Sequence, residues 1–228
     1  MAPRTDGLTL ALPKGRILAQ AIPLLQQAGL ELSGLAAGEL DRRLLHDLAG
    51  GLRVLLVKPV DVPTYVEHGV ADLGIAGYDT LCEEARDLYE PVDLGIGACR
   101  LAVAEPVARP VTLRRGMPLR VATKYPRLAR SHYRSLGIHP EIIPLAGSVE
   151  LGPITGLSDQ IVDLVESGET LRQNELREVE TILHVTSRLI VHPASLKLKQ
   201  AAVARTIAAL RAVVAARNTL AQSTPRTA

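Results

Sequence analysis

Apolar and polar positions fall into short blocks that read as strands and helices in alternation. Leu8 to Leu12 is an apolar run of strand length, and it ends in Pro13-Lys14-Gly15-Arg16 before Ile17, Ala21, Leu24, Leu25 and Ala28 recur at helical spacing. Pro23 sits inside that pattern and is expected to bend or restart the helix. Leu52 to Val57 is apolar throughout, the mark of an interior parallel strand. Asp61 is placed to cap a helix over Val62 to His68, with Pro63 tolerated in its first turn, and Ala71 to Gly77 is a further buried strand. Strand, helix and strand in that order specify a parallel sheet.

The second half repeats the alternation. Asp93 to Val103 reads as an extended hinge strand, after which a Pro-rich stretch from Glu105 to Pro110 marks a change of composition. A strand is expected over Leu119 to Thr123, a basic helix over Arg127 to Leu136, and a short strand near Ile142-Ile143. Ser148 is placed to cap a helix containing Glu150. Gln160 to Val165 is a short apolar run with β-branched residues, stopped by Ser167-Gly168, as expected of a central strand. A β-rich segment over Val179 to Val191 reads as a second crossing between domains, and Leu196, Val203, Ile207, Leu210 and Val214 fall on one face of a final helix. The pattern is α/β, with a discontinuous first domain over 1–99 and 180–228 and a second over 100–179.

The 228 residues, 47% of them hydrophobic, suffice for a core. A net charge of +2 and five Tyr with neither Phe nor Trp argue against a nucleic-acid protein, which needs a basic face or aromatic platforms. Cys82 and Cys99 form no CxxC pair and the six His show no ligand spacing, so a reduced cytoplasm and no zinc site are expected. No apolar run approaches the eighteen or so residues of a membrane span.

The candidate chemistry lies in the turns. At the end of the 160–165 strand, Gly168 lets backbone amides converge on an anion while Ser167 and Thr170 offer hydroxyls, which suits a sugar phosphate. Asp163 and Glu166 would repel a bare phosphate but suit ribose hydroxyls or Mg²⁺. The alternative is an ordinary strand-to-helix turn with solvated acids. Lys14 and Arg16 flank Gly15 at a helix start, an anion-binding arrangement or a solvated turn. Tyr125 either stacks a purine or packs in the core. Gly95-Ile96-Gly97 lacks the third Gly and the helix of a dinucleotide fingerprint.

Glu150, Gly156, Ser158, Ile161, Asp163, Leu164, Ser167, Gly168, Thr170 and Leu171 stand at the spacing E-x5-G-x-S-x2-I-x-D-L-x2-S-G-x-T-L. With LPKGR at the start and LLVKPVDVPTYVEHGVADLGIAG in the first half, this resembles the ATP phosphoribosyltransferases, which open histidine biosynthesis. The resemblance implies a two-lobed fold like that of type II periplasmic solute-binding proteins, with two hinge strands and the nucleotide between the lobes. It implies transfer of phosphoribose from phosphoribosyl pyrophosphate to N1 of ATP, with Mg²⁺. On this chain it places Asp163, Glu166, Ser167, Gly168, Glu169, Thr170 and Leu171 at phosphoribosyl pyrophosphate, Lys14, Gly15, Asp72 and Tyr125 at ATP, and Arg16, Lys58 and Arg42 in catalysis. Arg42, in the charged cluster Asp41-Arg42-Arg43, matches an arm that reaches a neighbouring subunit. Relatives commonly have Arg at Lys58, and often lysine where Tyr78 and Ala98 stand. The length resembles the short form, a homodimer within a hetero-oligomer whose regulatory subunit is similar to histidyl-tRNA synthetase. The competing reading is a non-catalytic small-molecule-binding protein of the same fold.

Overall fold

A computed structural model describes residues 7–33, 35, 43–112 and 118–223. Along the chain run β1 (Thr9–Pro13), α1 (Arg16–Gln27), β2 (Leu45–Asp47), β3 (Arg53–Val57), α2 (Val62–Glu67), β4 (Leu73–Gly77), α3 (Tyr78–Glu84) and β5 (Tyr89–Asp93). They are followed by β6 (Cys99–Pro106), β7 (Arg120–Thr123), α4 (Pro126–Ser135), β8 (Glu141–Pro144), α5 (Leu151–Thr155), β9 (Gln160–Val165) and α6 (Glu169–Gln173). The last elements are β10 (Leu176–Val185), β11 (Ser187–Val191), α7 (Ser195–Leu198) and α8 (Gln200–Ser223). The chain divides into two compact units, 1–97 with 186–228, and 98–185.

In the first unit the strand order is β2-β3-β1-β4-β11-β5. β1 pairs in parallel with β3 on one side and β4 on the other. All three are apolar because both sheet faces are covered. Leu10, Leu12, Val54, Leu73 and Ile75 face a core shared with α1 and α8, while Ala11, Ala76 and Ile190 face Val62 and Val66 of α2. α1 runs unbroken through Pro23, contrary to the expected restart. Leu24 and Leu25 are fully buried beside it, and each contributes on the order of 2 kcal/mol, which offsets the missing hydrogen bond. Asp61 stands at the start of α2 but makes no side-chain capping bond, because a 3₁₀ turn over Pro59–Asp61 already gives it helical dihedrals.

In the second unit the order is β10-β6-β9-β7-β8, so β9 is central, parallel to β7 and antiparallel to β6. Val162 packs on one face with Leu101, Val121 and Tyr133, and Ile161 and Val165 pack on the other with Ala102, Val149 and Leu171. Ser148 has φ +49 and caps nothing by its side chain, and Glu150 precedes α5 instead of lying within it.

Both expected crossings are broken strands. The 93–103 segment ends β5, turns at Gly95 and Gly97 (φ +61 and +64) and begins β6 in the other sheet. A Cβ on Gly97 would lie 2.3 Å from Ile17 Cδ1, so that glycine serves close packing on α1. The return stretch changes sheets at Thr186, between β10 and β11. A boundary at 179/180 falls inside β10, which starts at Leu176 and is largely exposed or half-buried between its buried ends.

Candidate functional site

Each unit brings polar turns to the carboxyl edge of its parallel strands, where open α/β sheets bind ligands. In the first unit the last β1–β3 pair is Pro13 with Val57, and the Lys14 amide donates to the Val57 carbonyl at 2.9 Å. Parallel register thus sets Lys14 and Lys58 at one level, both exposed. Gly15 begins α1 with φ +88 and ψ −148, a conformation open essentially to glycine, and no heavy atom lies within 4 Å of where its Cβ would stand. The first turn of α1 has no acidic residue, so no carboxylate of that turn opposes an anion at the helix amino terminus. Arg16 is the first residue of the helix.

Tyr78 follows β4 at the same edge. Arg188 of β11 lies 4.7 Å from the Tyr78 ring centroid and ion-pairs with Asp93. The Tyr78 ring thus supports an arginine from the neighbouring strand.

In the second unit β9 delivers Glu166-Ser167-Gly168 to the carboxyl edge, and Glu169 and Thr170 open α6. Gly168 is left-handed (φ +77, ψ +5), the conformation that converges successive amides. The Ser167 hydroxyl accepts the Glu169 amide at 3.3 Å, which leaves its own proton to donate. Thr170 is exposed, and the Leu171 side chain is buried in the core, so Leu171 anchors the turn and offers a ligand only its backbone. Asp163 stands within β9 and is half-buried. Glu169 is held below the usual carboxylate range by Arg172, at 2.5 Å, and is therefore charged.

Arginines missed in the sequence reading flank this turn. Arg100 Nη1 donates to the Glu166 carbonyl at 3.1 Å, and Arg172 Nη1 lies 3.5 Å from the Ser167 carbonyl. They border, with Ser167, Gly168 and Glu178, an open hollow of about 430 Å³. Arg172 was legible as the i+3 partner of Glu169 on a helix. Arg100 was not, because its neighbour across the sheet is Val165, 65 residues on (165 − 100).

Two of the residues expected at ATP, Asp72 and Tyr125, lie away from these turns. Asp72 precedes β4, at the amino ends of the parallel strands and so at the opposite edge from Lys14. Its carboxylate accepts the Thr9 amide at 2.8 Å, the Ser195 hydroxyl at 2.6 Å and Lys199 Nζ at 2.7 Å. Burial raises its pKa, but Lys199, Ser195 and Thr9 together outweigh that and hold it below the ordinary value. Asp72 therefore ties β1 and β4 to α7 and α8. Tyr125 is 6% exposed, packed with Leu101, Val121 and Ala129. Thr123 Oγ1 donates to the Val162 carbonyl at 2.6 Å and accepts the Tyr125 amide at 2.8 Å, which fixes the chain where the ring turns into the core. Arg42 lies outside the described residues.

The fold is that of two-domain solute-binding proteins. The periplasmic aliphatic sulphonate binding protein SsuA of Escherichia coli matches 95% of this chain and 75% of its own with a TM-score of 0.59 at 13% identity. The model of the ATP phosphoribosyltransferase family matches residues 58–212, and the chain belongs to that family. A Sorangium cellulosum ATP phosphoribosyltransferase is 52% identical over 212 residues, 92% of this chain and 98% of the relative. The Bacillus subtilis one is 51% identical over 193 residues, 84% and 88% of the two chains. A chain of the ATP phosphoribosyl transferase HisG:HisZ complex from Thermotoga maritima matches with a TM-score of 0.78 at 36% identity, covering 91% of this chain and 98% of that one. Among the described residues no helix is long and apolar enough to cross a membrane.

Proposed function

We propose that this chain is the catalytic subunit that transfers phosphoribose from phosphoribosyl pyrophosphate to N1 of ATP and releases pyrophosphate, the first step of histidine biosynthesis. The observation that carries the site assignment is the turn at the carboxyl end of β9, where Ser167, left-handed Gly168 and Thr170 follow the strand that carries Asp163. The free amides of the 166–171 turn and the two hydroxyls hold the 5′-phosphate, the Glu169 amide being taken by Ser167, and Asp163 and Glu166 take the ribose hydroxyls. Lys14 and Gly15 hold the ATP phosphates. Arg16 and Lys58, joined by Arg42 from a neighbouring copy, neutralise the departing diphosphate.

Adenine N1 carries no proton, so its attack on the anomeric carbon needs no general base. The barrier lies in building oxocarbenium character on the ribose while charge grows on diphosphate. Cations already fixed at a sheet edge stabilise that charge without reorganising, and one such donor is worth about 3 kcal/mol. The diphosphate carries Mg²⁺, which supplies further neutralisation when bound.

The subunit works in the cytoplasm as a homodimer within a hetero-oligomer. The Thermotoga maritima complex, in which a similar chain is joined by HisZ, supports a separate regulatory subunit. Pyrophosphate release on mixing the chain, that subunit and both substrates tests the reading. Release that does not depend on ATP would overturn it.

A further inference from the structure

Arg100 stands opposite Val165 in the β6–β9 ladder, so its side chain leaves the sheet on the face that carries α6. Its guanidinium is divided between two acceptors. Nε lies 2.8 and 2.9 Å from the two oxygens of Glu178 and Nη2 lies 2.5 Å from one of them, while Nη1 donates to the Glu166 carbonyl at 3.1 Å. Glu178 is fixed in turn by the Thr181 hydroxyl at 2.8 Å. The charge of Arg100 is thus met by a carboxylate, and what remains for the turn is geometry.

Resting on the assignment of the 166–171 turn to the 5′-phosphate, we propose that Arg100 is a positioning residue that presets this turn for the anion. In a planar trans peptide the carbonyl of residue 166 and the amide of residue 167 point in opposite directions. Drawing the Glu166 carbonyl toward β6 therefore aims the Ser167 N–H away from Arg100 and into the turn, where Gly168 brings the next amide beside it. Released, that carbonyl can rotate and set a partial negative charge against the phosphate. Glu178 acts one step further back, since it fixes the plane of the guanidinium that does the pulling. A lysine has one point charge and no fork, so it cannot hold Glu178 and the Glu166 carbonyl together in the same geometry.

The test uses the protein assembled with its regulatory subunit and compares Arg100→Lys and Arg100→Met with Ser167→Ala by steady-state kinetics against each substrate, with melting temperatures in parallel. Arg100→Met is expected to raise KM for phosphoribosyl pyrophosphate about tenfold or more, with KM for ATP within about twofold. Arg100→Lys is expected to fall between it and the parent and serves as the measured variant should Arg100→Met not fold. A merely structural arginine would lower the melting temperature and the active fraction without separating the two KM values. If Ser167→Ala raises KM for the ribosyl donor and neither Arg100 variant does, the positioning role is overturned while the turn keeps its ligand. If none of the three moves it, both readings fail.

Discussion

The Lys14 amide donates to the Val57 carbonyl at 2.9 Å, which extends the parallel pairing of β1 and β3 one residue past Pro13 and sets Lys14 level with Lys58. Two cations from segments 44 residues apart (58 − 14) thereby share one sheet edge. Lys58→Ala is expected to lower kcat/KM about 100-fold, because it removes charge from the leaving-group side of the transition state. Lys58→Arg keeps the charge and adds a second donor, so it should stay within about tenfold of the parent. Steady-state rates of pyrophosphate release decide this, and an Ala variant at full activity would remove Lys58 from the mechanism.

Ser167→Ala and Thr170→Ala should raise KM for phosphoribosyl pyrophosphate more than KM for ATP. The two hydroxyls sit at the end of β9, and each charge-assisted hydrogen bond lost is worth about 2 kcal/mol, roughly 30-fold. Equal changes in both constants would mean that the turn holds something else.

Gly15→Ala separates space from conformation. Nothing lies near the added methyl, yet φ +88 with ψ −148 costs a non-glycine residue about 1–3 kcal/mol. Thermal melts should register that loss, and activity should fall further because the methyl occupies the approach to the first turn of α1.

Asp72→Asn tests stability, not binding. The Asp72 pKa is depressed, so its carboxylate contributes stability that is present above its unfolded pKa of about 3.9 and is lost as pH falls through the lower folded value. Melting temperature followed downward from pH 7 should drop steeply below about pH 4 in the parent and less so in Asp72→Asn, which starts lower. Both KM values should stay within about twofold. A large rise in KM for ATP would return Asp72 to the nucleotide site.

Tyr125→Phe keeps the buried ring and should leave KM for ATP unchanged, whereas Tyr125→Ala should destabilise the protein by about 3–5 kcal/mol through the cavity it opens. A selective loss of ATP binding in the Phe variant would argue against the core assignment.

Much of the site was legible because it is local. A buried strand that runs into Ser-Gly-x-Thr declares its turn within a dozen residues, and β9 with its left-handed Gly168 is where that pattern said it would be. The ten-position pattern around it carries two kinds of residue. Ile161 and Leu171 are core, and Gly156 is a left-handed helix end. Ser158 is buried against Gly152, where an added methyl would lie 2.5 Å from its hydroxyl. Asp163, Ser167, Gly168 and Thr170 are the part that meets solvent at the edge. Spacing alone could not sort one kind from the other.

The order of apolar blocks determined the α/β class, a parallel sheet in the first half and a buried central strand at β9, since these follow from period, run length and crossover connections. Tertiary structure decided which edge each polar residue occupies. Asp72 and Lys14 look alike as polar ends of apolar runs, yet they stand at opposite ends of parallel strands, and Tyr125 turns inward because Thr123 holds its amide. Arg100 reaches the Glu166 carbonyl only because an antiparallel ladder sets it against Val165. Such assignments depend on strand order and register, which long-range pairing settles and no local window contains.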